Sequence, residues 1–450
     1  MEHSTEASLP RSRGLDRGLS GTRRPTLAVA LALTLILVLG LLWASVAAAQ
    51  SGLRTTLPRV VIRAPDGLGD EPKRPATMRI ISRRRGGDRA SHRGTDYHGP
   101  IGIEHRGFHS LEHPKKSYSF ETRTRSGNNR NVSLLGMPKD EDWVLIGNYY
   151  DRSLLRNVVA YSAARWLSRY ASRTRLVEVI VDGRYDGVYV LSERLKLHER
   201  RVAVDDRAIS GGYLLEMVDT ERIRGQSFFQ TPVRDKSVVY ADPRREDLSY
   251  GRARWISNYI GRFELTLYGP GFTHPRRGFR RYLDIGAAVD YILLDELFKN
   301  VATFDDSTYM HKGVGGKLVL GPLWDYNHAL GNFVGRDGTD PVFGWQLTDA
   351  PWVDRLYADP AFRARVVTRW RRIRRRGLLR HIMRTIDGGA KRLGAAQARN
   401  FRRWPIPHSG PVDPRTGSIP QTYGQEIGYL KWWLRSRARW IDSRISMLPR

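Results

Sequence analysis

The chain contains no cysteine among its 450 residues. That absence excludes disulfides, cysteine-ligated zinc and thiol nucleophiles. It fits an exported protein that avoids stray oxidation, although many cytosolic proteins also lack cysteine. The sequence also lacks a G-x-x-x-x-G-K-S/T loop, a G-x-S-x-G elbow and an H-E-x-x-H motif, so the NTPase, hydrolase and zinc-protease classes that these motifs define gain no support.

Charged residues are absent from one long stretch near the N-terminus. No charge occurs from Pro25 to Gln50, directly after Arg23 and Arg24. The stretch is long enough to span a bilayer, which takes about 20 residues, and it ends in three alanines typical of a signal-peptidase site. We therefore expect a basic cytoplasmic region over 1–24 and a signal peptide or membrane anchor over 25–49, with the rest outside the cytoplasm.

Acidic residues are outnumbered by basic ones, and the net charge is +29. This excess favours anionic partners: phosphorylated ligands, nucleic acid, acidic envelope polymers or anionic lipid. Because the arginines are spread along the whole chain, a merely solvated arginine-rich surface explains the excess equally well. The hydrophobic content of 40% indicates a folded chain with a sizeable core rather than a disordered one.

The pattern of short strands and longer helices predicts an α+β protein. Residues 50–75 are rich in Gly and Pro and predict a linker or an entering strand. Short strands with one helix over 153–171 follow, and Asp182-Gly183 predicts a two-residue hairpin. Asp284 is the expected cap of the next helix, and the remaining chain is mostly helical.

The segment "LGPLWDYNHALGN" concentrates side-chain oxygens after a short strand. Asp325, Asn327 and Asn332 are hard oxygen ligands of the kind that Mg²⁺ prefers. An ordinary Asx-type turn with a helix cap at Asp325 or Asn327 has the same residue types. The segment therefore predicts either a metal site or a capped turn.

Two further segments carry candidate polar groups. Lys115 and Lys116 precede a strand, where a lysine can hold a phosphate or simply protect an exposed edge. Asp305 and Asp306 lie in a loop between a helix and a strand, and adjacent acids in a loop are usually just solvated. Neither segment is specific by itself.

Taken together, five stretches in order resemble the CotH kinase family, the spore coat protein H type of atypical kinase. They are "HRGFHSLEHPKKSYSFE", "LIGNYYDRSLLRNVVAYSAAR", "DGVYVLSERLKL", "GGYLLEM" and "KNVATFDDSTYMHKGVGGKLVLGPLWDYNHALGN". The resemblance runs from about Thr77 to the C-terminus. It implies a divergent, two-lobed protein-kinase-like fold, with a β-rich N-lobe over 76–215 and a mostly helical C-lobe over 216–450.

The resemblance also implies an activity: transfer of phosphate from ATP to Ser or Thr of a protein, here one in the cell envelope, with Mg²⁺ or Mn²⁺. Lys116 or Lys115, together with Arg106, would bind the nucleotide. Asp325, with Asn327 beside it, would bind the metal. No nucleic acid partner is expected, and the membrane is a partner if the segment 25–49 stays uncleaved.

Three departures from the family pattern matter. Ala302 stands where the family commonly has an aspartate, and Asn327 replaces the second acid of a Trp-Asp-x-Asp motif. The helix over 153–171 has no acid, so Glu193 is the candidate partner of the nucleotide-binding lysine. We hypothesise that the loop folds back so that Asp305 partly replaces the missing acid; otherwise the chain is a weak or inactive kinase. The alternative is a non-catalytic envelope protein, structural or adhesive, that keeps the fold and binds anionic polymers.

Overall fold

The computed structural model describes residues 55–82, 94–223, 225–334, 338–405 and 410–449. The chain divides into two units, Met1–Arg54 and Thr55–Arg450, and the described residues all lie in the second, which is compact. The hydrophobic segment expected over 25–49 lies outside the described residues, and its role stays a prediction. Within the described ranges, no helix combines the length and the apolar character needed to cross a bilayer.

Seven strands form a closed barrel at the start of the second unit. They are β1 Arg59–Arg63, β2 Arg74–Ser82, β3 Gly94–Arg106, β4 Ser117–Thr122, β5 Asp142–Ile146, β6 Thr174–Val181 and β7 Arg184–Glu193. Their order is β1-β2-β3-β4-β5-β7-β6, and parallel pairing of β1 with β6 closes the ring. Because side chains alternate across a strand, Val60 and Ile62 of β1 both enter the buried cluster inside the barrel.

The Asp182-Gly183 turn predicted from the sequence joins β6 to β7. Both residues have positive φ, 47° for Asp182 and 79° for Gly183. A two-residue turn with two left-handed residues matches the right-handed twist of the flanking strands, and Asp-Gly tolerates it best. The predicted hairpin is confirmed.

A second, five-stranded sheet follows the barrel in the chain. It contains β8 Tyr213–Val218, β9 Phe228–Gln230, β10 Ser237–Asp242, β11 Thr308–Lys312 and β12 Val319–Leu320. The order is β12-β11-β8-β10-β9, so β8 lies in the middle. β11 and β12 form a hairpin, and because β11 also pairs with β8, the segment after β12 lies close to β8.

Eight helices complete the described part of the second unit. They are α1 Arg156–Trp166, α2 Tyr250–Tyr268, α3 Ile285–Phe298, α4 Val353–Tyr357, α5 Pro360–Arg375, α6 Leu378–Leu393, α7 Ala395–Arg403 and α8 Tyr423–Arg444. The Ala287 N–H donates to the Asp284 carboxylate at 2.8 Å, so the predicted cap of α3 is confirmed. One large apolar core joins these helices to the second sheet.

Helix α1 is shorter than the expected 153–171. Leu154 has a φ of +58°, a left-handed conformation that no helix interior adopts, so the helix begins after it. Asp151 still stabilises the N-terminal turn, because its carboxylate accepts from the N–H of Ser153 and of Arg156. At the other end, the positive φ of Ser168 stops the helix.

The linker and lobe bounds stay predictions, and the strands near them are as follows. The range 50–75 contains β1, so it is an entering strand rather than only a linker. The expected boundary between 215 and 216 falls inside β8, and the change from barrel to second sheet comes earlier, between Glu193 and Tyr213. The chain is α+β as expected, with a closed barrel as its β-rich part.

Candidate active site

The Trp-Asp pair lies in the loop that follows β12, and helix α1 holds this loop. The Asp325 N–H donates to the Tyr161 hydroxyl at 3.2 Å, and the Tyr326 N–H donates to Asn157 Oδ1 at 2.7 Å. The Trp324 ring stacks on Tyr161, with centroids 5.8 Å apart. Asn157 and Tyr161 are one turn apart on α1, so a single helical face fixes three consecutive loop residues.

Asp325 adopts a left-handed conformation with a φ of +59°, which Asp and Asn tolerate better than most residues. No helix begins at this residue, and the next helix in the described residues is α4, so the helix-cap interpretation of Asp325 is wrong. Its half-buried carboxylate receives no hydrogen bond from any described residue. An acid held in place by its backbone, with free oxygens, suits a metal ligand.

Asn327 offers a second free oxygen two residues further on. Its side-chain Oδ1 is buried and has no hydrogen-bond partner among the described residues. Its main-chain oxygen, by contrast, accepts from Asn332 Nδ2 at 2.7 Å. Since a buried oxygen without a partner costs free energy, the Asn327 amide fits a site completed by a cation or water. The two predicted metal ligands therefore remain a compatible pair.

Arg106 ends strand β3 and reaches the same loop. Its guanidinium carbon lies 5.4 Å from the centroid of the Trp324 ring. Burial lowers the pKa of Arg106, and the nearby charges of Asp325 and Glu216 act in the opposite direction. Arginine presents a fork of donors that matches phosphate oxygens. Arg106 is thus the predicted nucleotide-binding residue that the structure places beside Asp325.

Glu216 and Tyr309 complete this cleft, and sequence reasoning missed both. They face each other across the β8–β11 pair, and the Tyr309 ring lies edge-on to Trp324 at 6.4 Å. Burial raises the pKa of the Glu216 carboxyl, and burial together with the Glu216 charge raises the pKa of Tyr309. The available signal was a single acid in the otherwise apolar strand "YLLEMV".

The loop at Ala302 folds back as expected. The N–H groups of Asp305 and Asp306 both donate to the Ala302 carbonyl, at 3.1 and 2.7 Å. This turn brings two acids close to the backbone of the position that lacks one. It leaves open which of the two carboxylates can serve there.

The ion pairs of the two acids distinguish them. The Asp305 side chain is 63% exposed and binds Lys236 at 2.5 Å. The Asp306 side chain is 16% exposed and pairs with Arg222, and its Oδ1 is buried without a hydrogen-bond partner among the described residues. The Arg222 charge also acts on Glu216 in the cleft. Asp306 is therefore the less exposed of the two acids, and its partner Arg222 acts on Glu216, whereas the role of Asp305 stays a prediction.

The two predicted lysines are engaged elsewhere. The buried Lys115 donates to the Val188 carbonyl at 2.5 Å and to Asn400 Oδ1 at 2.8 Å, which ties β7 to α7. Burial lowers its pKa to about 7. Lys116 donates to the Leu111 carbonyl in the preceding loop. Among the described residues, neither ammonium group contacts Asp325.

Glu193 does not pair with either lysine in the described structure. Its carboxylate accepts from Arg173 at 2.8 Å and from the Tyr170 hydroxyl at 3.2 Å. This buried acid ends β7 and is satisfied by residues next to α1 and β6. The predicted lysine–glutamate pair is therefore replaced by an arginine–glutamate pair away from the loop.

Asp295 lies beneath the Trp-Asp loop and was also missed. It is completely buried on α3, and its Oδ1 accepts from the Tyr326 hydroxyl at 2.6 Å. Its Oδ2 has no hydrogen-bond partner among the described residues. Burial raises its pKa to about 7. Asp295 thus holds the residue next to Asp325 from below.

A cleft with a free carboxylate, a free amide oxygen and a partly buried arginine is suited to a metal-bound phosphate, the ligand that phosphate-handling enzymes bind. The family model described as CotH kinase protein matches residues 103–441. The chain belongs to this family, as the resemblance in its sequence indicated. The match includes every cleft residue named above. A search of curated proteins finds no match.

Proposed function

We propose that the protein is an atypical kinase that transfers phosphate from ATP to Ser or Thr of a protein in the cell envelope. One observation carries this proposal. The Asp325 carboxylate and the Asn327 amide oxygen, both without hydrogen-bond donors in the described structure, lie in the loop that Arg106 contacts. Free oxygens beside a partly buried cation are the groups that a metal–nucleotide complex needs.

In this proposal Asp325 and Asn327 hold Mg²⁺ or Mn²⁺, which would neutralise phosphate charge. Arg106 binds phosphate oxygens, and Trp324 supports its guanidinium from one side. Asn157 and Tyr161 keep Asp325 in place, so little reorganisation is required at the site. The main contribution of this chain is positioning and charge, as phosphoryl transfer demands.

The acceptor hydroxyl needs a carboxylate to orient it, and Ala302 cannot serve. General-base or orienting groups contribute typically about 10²- to 10⁴-fold to a rate. We infer that Asp306 supplies part of this contribution, since it is the less exposed of the two loop acids and connects through Arg222 to the cleft. The Arg222 ion pair occupies the Asp306 carboxylate, so the kinase should be slow.

The loss of the acid at 302 also favours the second candidate function, a non-catalytic envelope protein that keeps the fold. The two candidates differ in whether the cleft binds nucleotide. Titration calorimetry of ATP with Mg²⁺ into the Thr55–Arg450 unit separates them. The kinase proposal expects binding that is weakened at least about tenfold in Asp325→Asn, since the amide lacks the charge that attracts the metal.

Asp387→Asn is the matched control for that titration. Asp387 is 57% exposed and pairs with Lys431 on α8, so the same chemical change there removes only a surface ion pair. Its nucleotide affinity should equal that of the wild type. If the wild type binds no nucleotide with either Mg²⁺ or Mn²⁺, the kinase proposal fails and the non-catalytic candidate replaces it.

A further inference from the structure

Three consecutive helices, α5 to α7, carry a concentration of positive charge. Residues 361–403 contain fifteen Lys and Arg residues and one acid, whereas the whole chain has 75 basic and 46 acidic residues. The single acid, Asp387, is itself paired with Lys431. A ratio of fifteen to one cannot be explained by the overall arginine content, so this region calls for an anionic partner.

Most of the basic residues of α5 and α6 lie on the solvent side of these helices. On α5 the buried residues Phe362, Val366, Trp370 and Ile373 form one face, and on α6 Leu378, Ile382 and Ile386 do so. Exposed cations lie on the opposite faces, and we call six of them the basic face: Arg365, Arg372, Arg375, Arg380, Arg384 and Lys391.

The basic face lacks internal partners. The side chains of its six residues make no ion pair, hydrogen bond or ring contact with any other described residue. Neighbouring arginines on the inner side differ, since Arg369 binds the buried Asp290 at 2.6 Å and Arg374 binds Asp442 at 2.7 Å. The fold thus neutralises the inward cations and leaves the outward ones available.

The described chain begins next to this face. The Thr56 hydroxyl donates to the Arg392 carbonyl at 3.1 Å, at the C-terminal end of α6. The neighbouring Leu57 is buried in the main core, which fixes that point on the unit. Six residues of chain lead from Gln50, where the uncharged stretch of the sequence ends, to Thr56. At no more than about 3.6 Å each, they reach roughly 20 Å.

We propose that the basic face binds anionic lipid headgroups of a membrane. The six unpartnered cations require an anionic partner, and lipid is favoured over other polyanions because the sequence stretch that ends at Gln50, six residues before Thr56, is apolar enough to enter a bilayer. Clusters of Lys and Arg close to a membrane segment bind acidic lipid through additive, salt-sensitive attraction. This binding is independent of the kinase activity.

Vesicle sedimentation with the Thr55–Arg450 unit tests the proposal, because this unit contains both cores and lacks the uncharged stretch. We expect it to bind vesicles of phosphatidylcholine with about one third phosphatidylglycerol at about 0.1 M salt. Binding should fall at least about tenfold at about 0.5 M salt and be absent with phosphatidylcholine alone. Equal binding to both vesicle types, or none to either, would overturn the proposal.

Two variants that lose the same number of positive charges identify the surface that binds lipid. The first changes four cations of the basic face to glutamine: Arg372, Arg375, Arg380 and Arg384. The second changes four exposed arginines elsewhere on the unit in the same way: Arg125, Arg184, Arg254 and Arg276. The first variant should require at least about tenfold more lipid for half-maximal binding, and the second should bind nearly as the wild type does.

An equal loss of lipid binding in the two variants would show that net charge alone attracts the vesicles. That result would reject the basic face as the binding surface. Circular dichroism checks that both variants fold. If one variant does not fold, the salt and lipid dependence of wild-type binding still tests the proposal. A labelled DNA duplex is titrated in parallel at the same salt. Tight binding of DNA, without binding to anionic vesicles, would replace the lipid proposal with a nucleic acid partner.

Discussion

Replacing Asp295 by asparagine should make the protein more stable at neutral pH, although most substitutions of buried residues destabilise. Asp295 is completely buried, with no charged partner in contact, and burial raises its pKa from an ordinary value of 3.8 to about 7. The unfolded chain loses this proton near pH 4, whereas the folded chain keeps it up to about pH 7. The folded state therefore binds more protons within this window, and stability falls as pH rises through it.

The magnitude follows from the size of the shift. About three pKa units, at 1.36 kcal/mol each, correspond to about 4 kcal/mol of stability lost between about pH 4 and pH 7. This is an upper bound, because water penetration and relaxation reduce such penalties. The asparagine side chain of the variant does not titrate and keeps a carbonyl oxygen for the Tyr326 hydroxyl. As pH rises, the free energy of unfolding of the variant should increase relative to that of the wild type, by up to about 4 kcal/mol above pH 7.

Urea unfolding of the Thr55–Arg450 unit at pH 5, 6, 7 and 8, followed by tryptophan fluorescence, measures this difference. Asp290→Asn is a matched control on the same helix, because Asp290 binds Arg169 and Arg369 at 2.8 and 2.6 Å. Losing those ion pairs should destabilise the protein at pH 8, whereas Asp295→Asn should stabilise it at that pH. A difference between Asp295→Asn and wild type that does not change with pH would refute the reasoning.

Three further predictions use different readouts. Lys115→Met should remove a rise in melting temperature between about pH 7 and pH 10, because burial lowers the pKa of Lys115 to about 7 and the unfolded chain binds more protons in that window; an unchanged rise would contradict this. Asp306→Ala should slow phosphate transfer at least about tenfold, and Asp305→Ala less, in an initial-rate assay; the reverse order would restore Asp305. In cell fractionation, the protein should appear in membranes or as an exported form starting near Gln50, and full-length protein in the cytosol would exclude both.

Sequence patterns predicted the elements that depend on neighbouring residues. The Asp182-Gly183 hairpin and the Asp284 cap each rest on the conformational preferences of one or two residues, and both are confirmed. The start of α1 was harder to predict from the sequence. Asp151 does satisfy N–H groups there, but the left-handed Leu154 delays the helix, and no local pattern indicates that a leucine adopts this conformation.

The site depends on contacts that are distant in sequence, and there prediction was incomplete. Glu216 meets Tyr309 only because β8 pairs with β11, and Lys115 is withdrawn from the cleft by Asn400, which is 285 residues away. The sequence pointed to Asp325, Asn327 and Arg106 through their family motifs, and these residues do lie around one loop. The sequence could not show which lysine or acid would be bound by a residue distant in the chain.

Transfer of labelled phosphate from ATP to a protein acceptor tests the central claim most directly. Wild type, Asp325→Asn and Ala302→Asp are incubated with γ-labelled ATP, Mg²⁺ or Mn²⁺ and a casein-like acceptor. We predict slow labelling by the wild type, none above background by Asp325→Asn, and labelling at least about tenfold faster by Ala302→Asp, since the restored carboxylate can orient the hydroxyl. Absence of labelling in both wild type and Ala302→Asp, or equal labelling by wild type and Asp325→Asn, would contradict a kinase centred on Asp325.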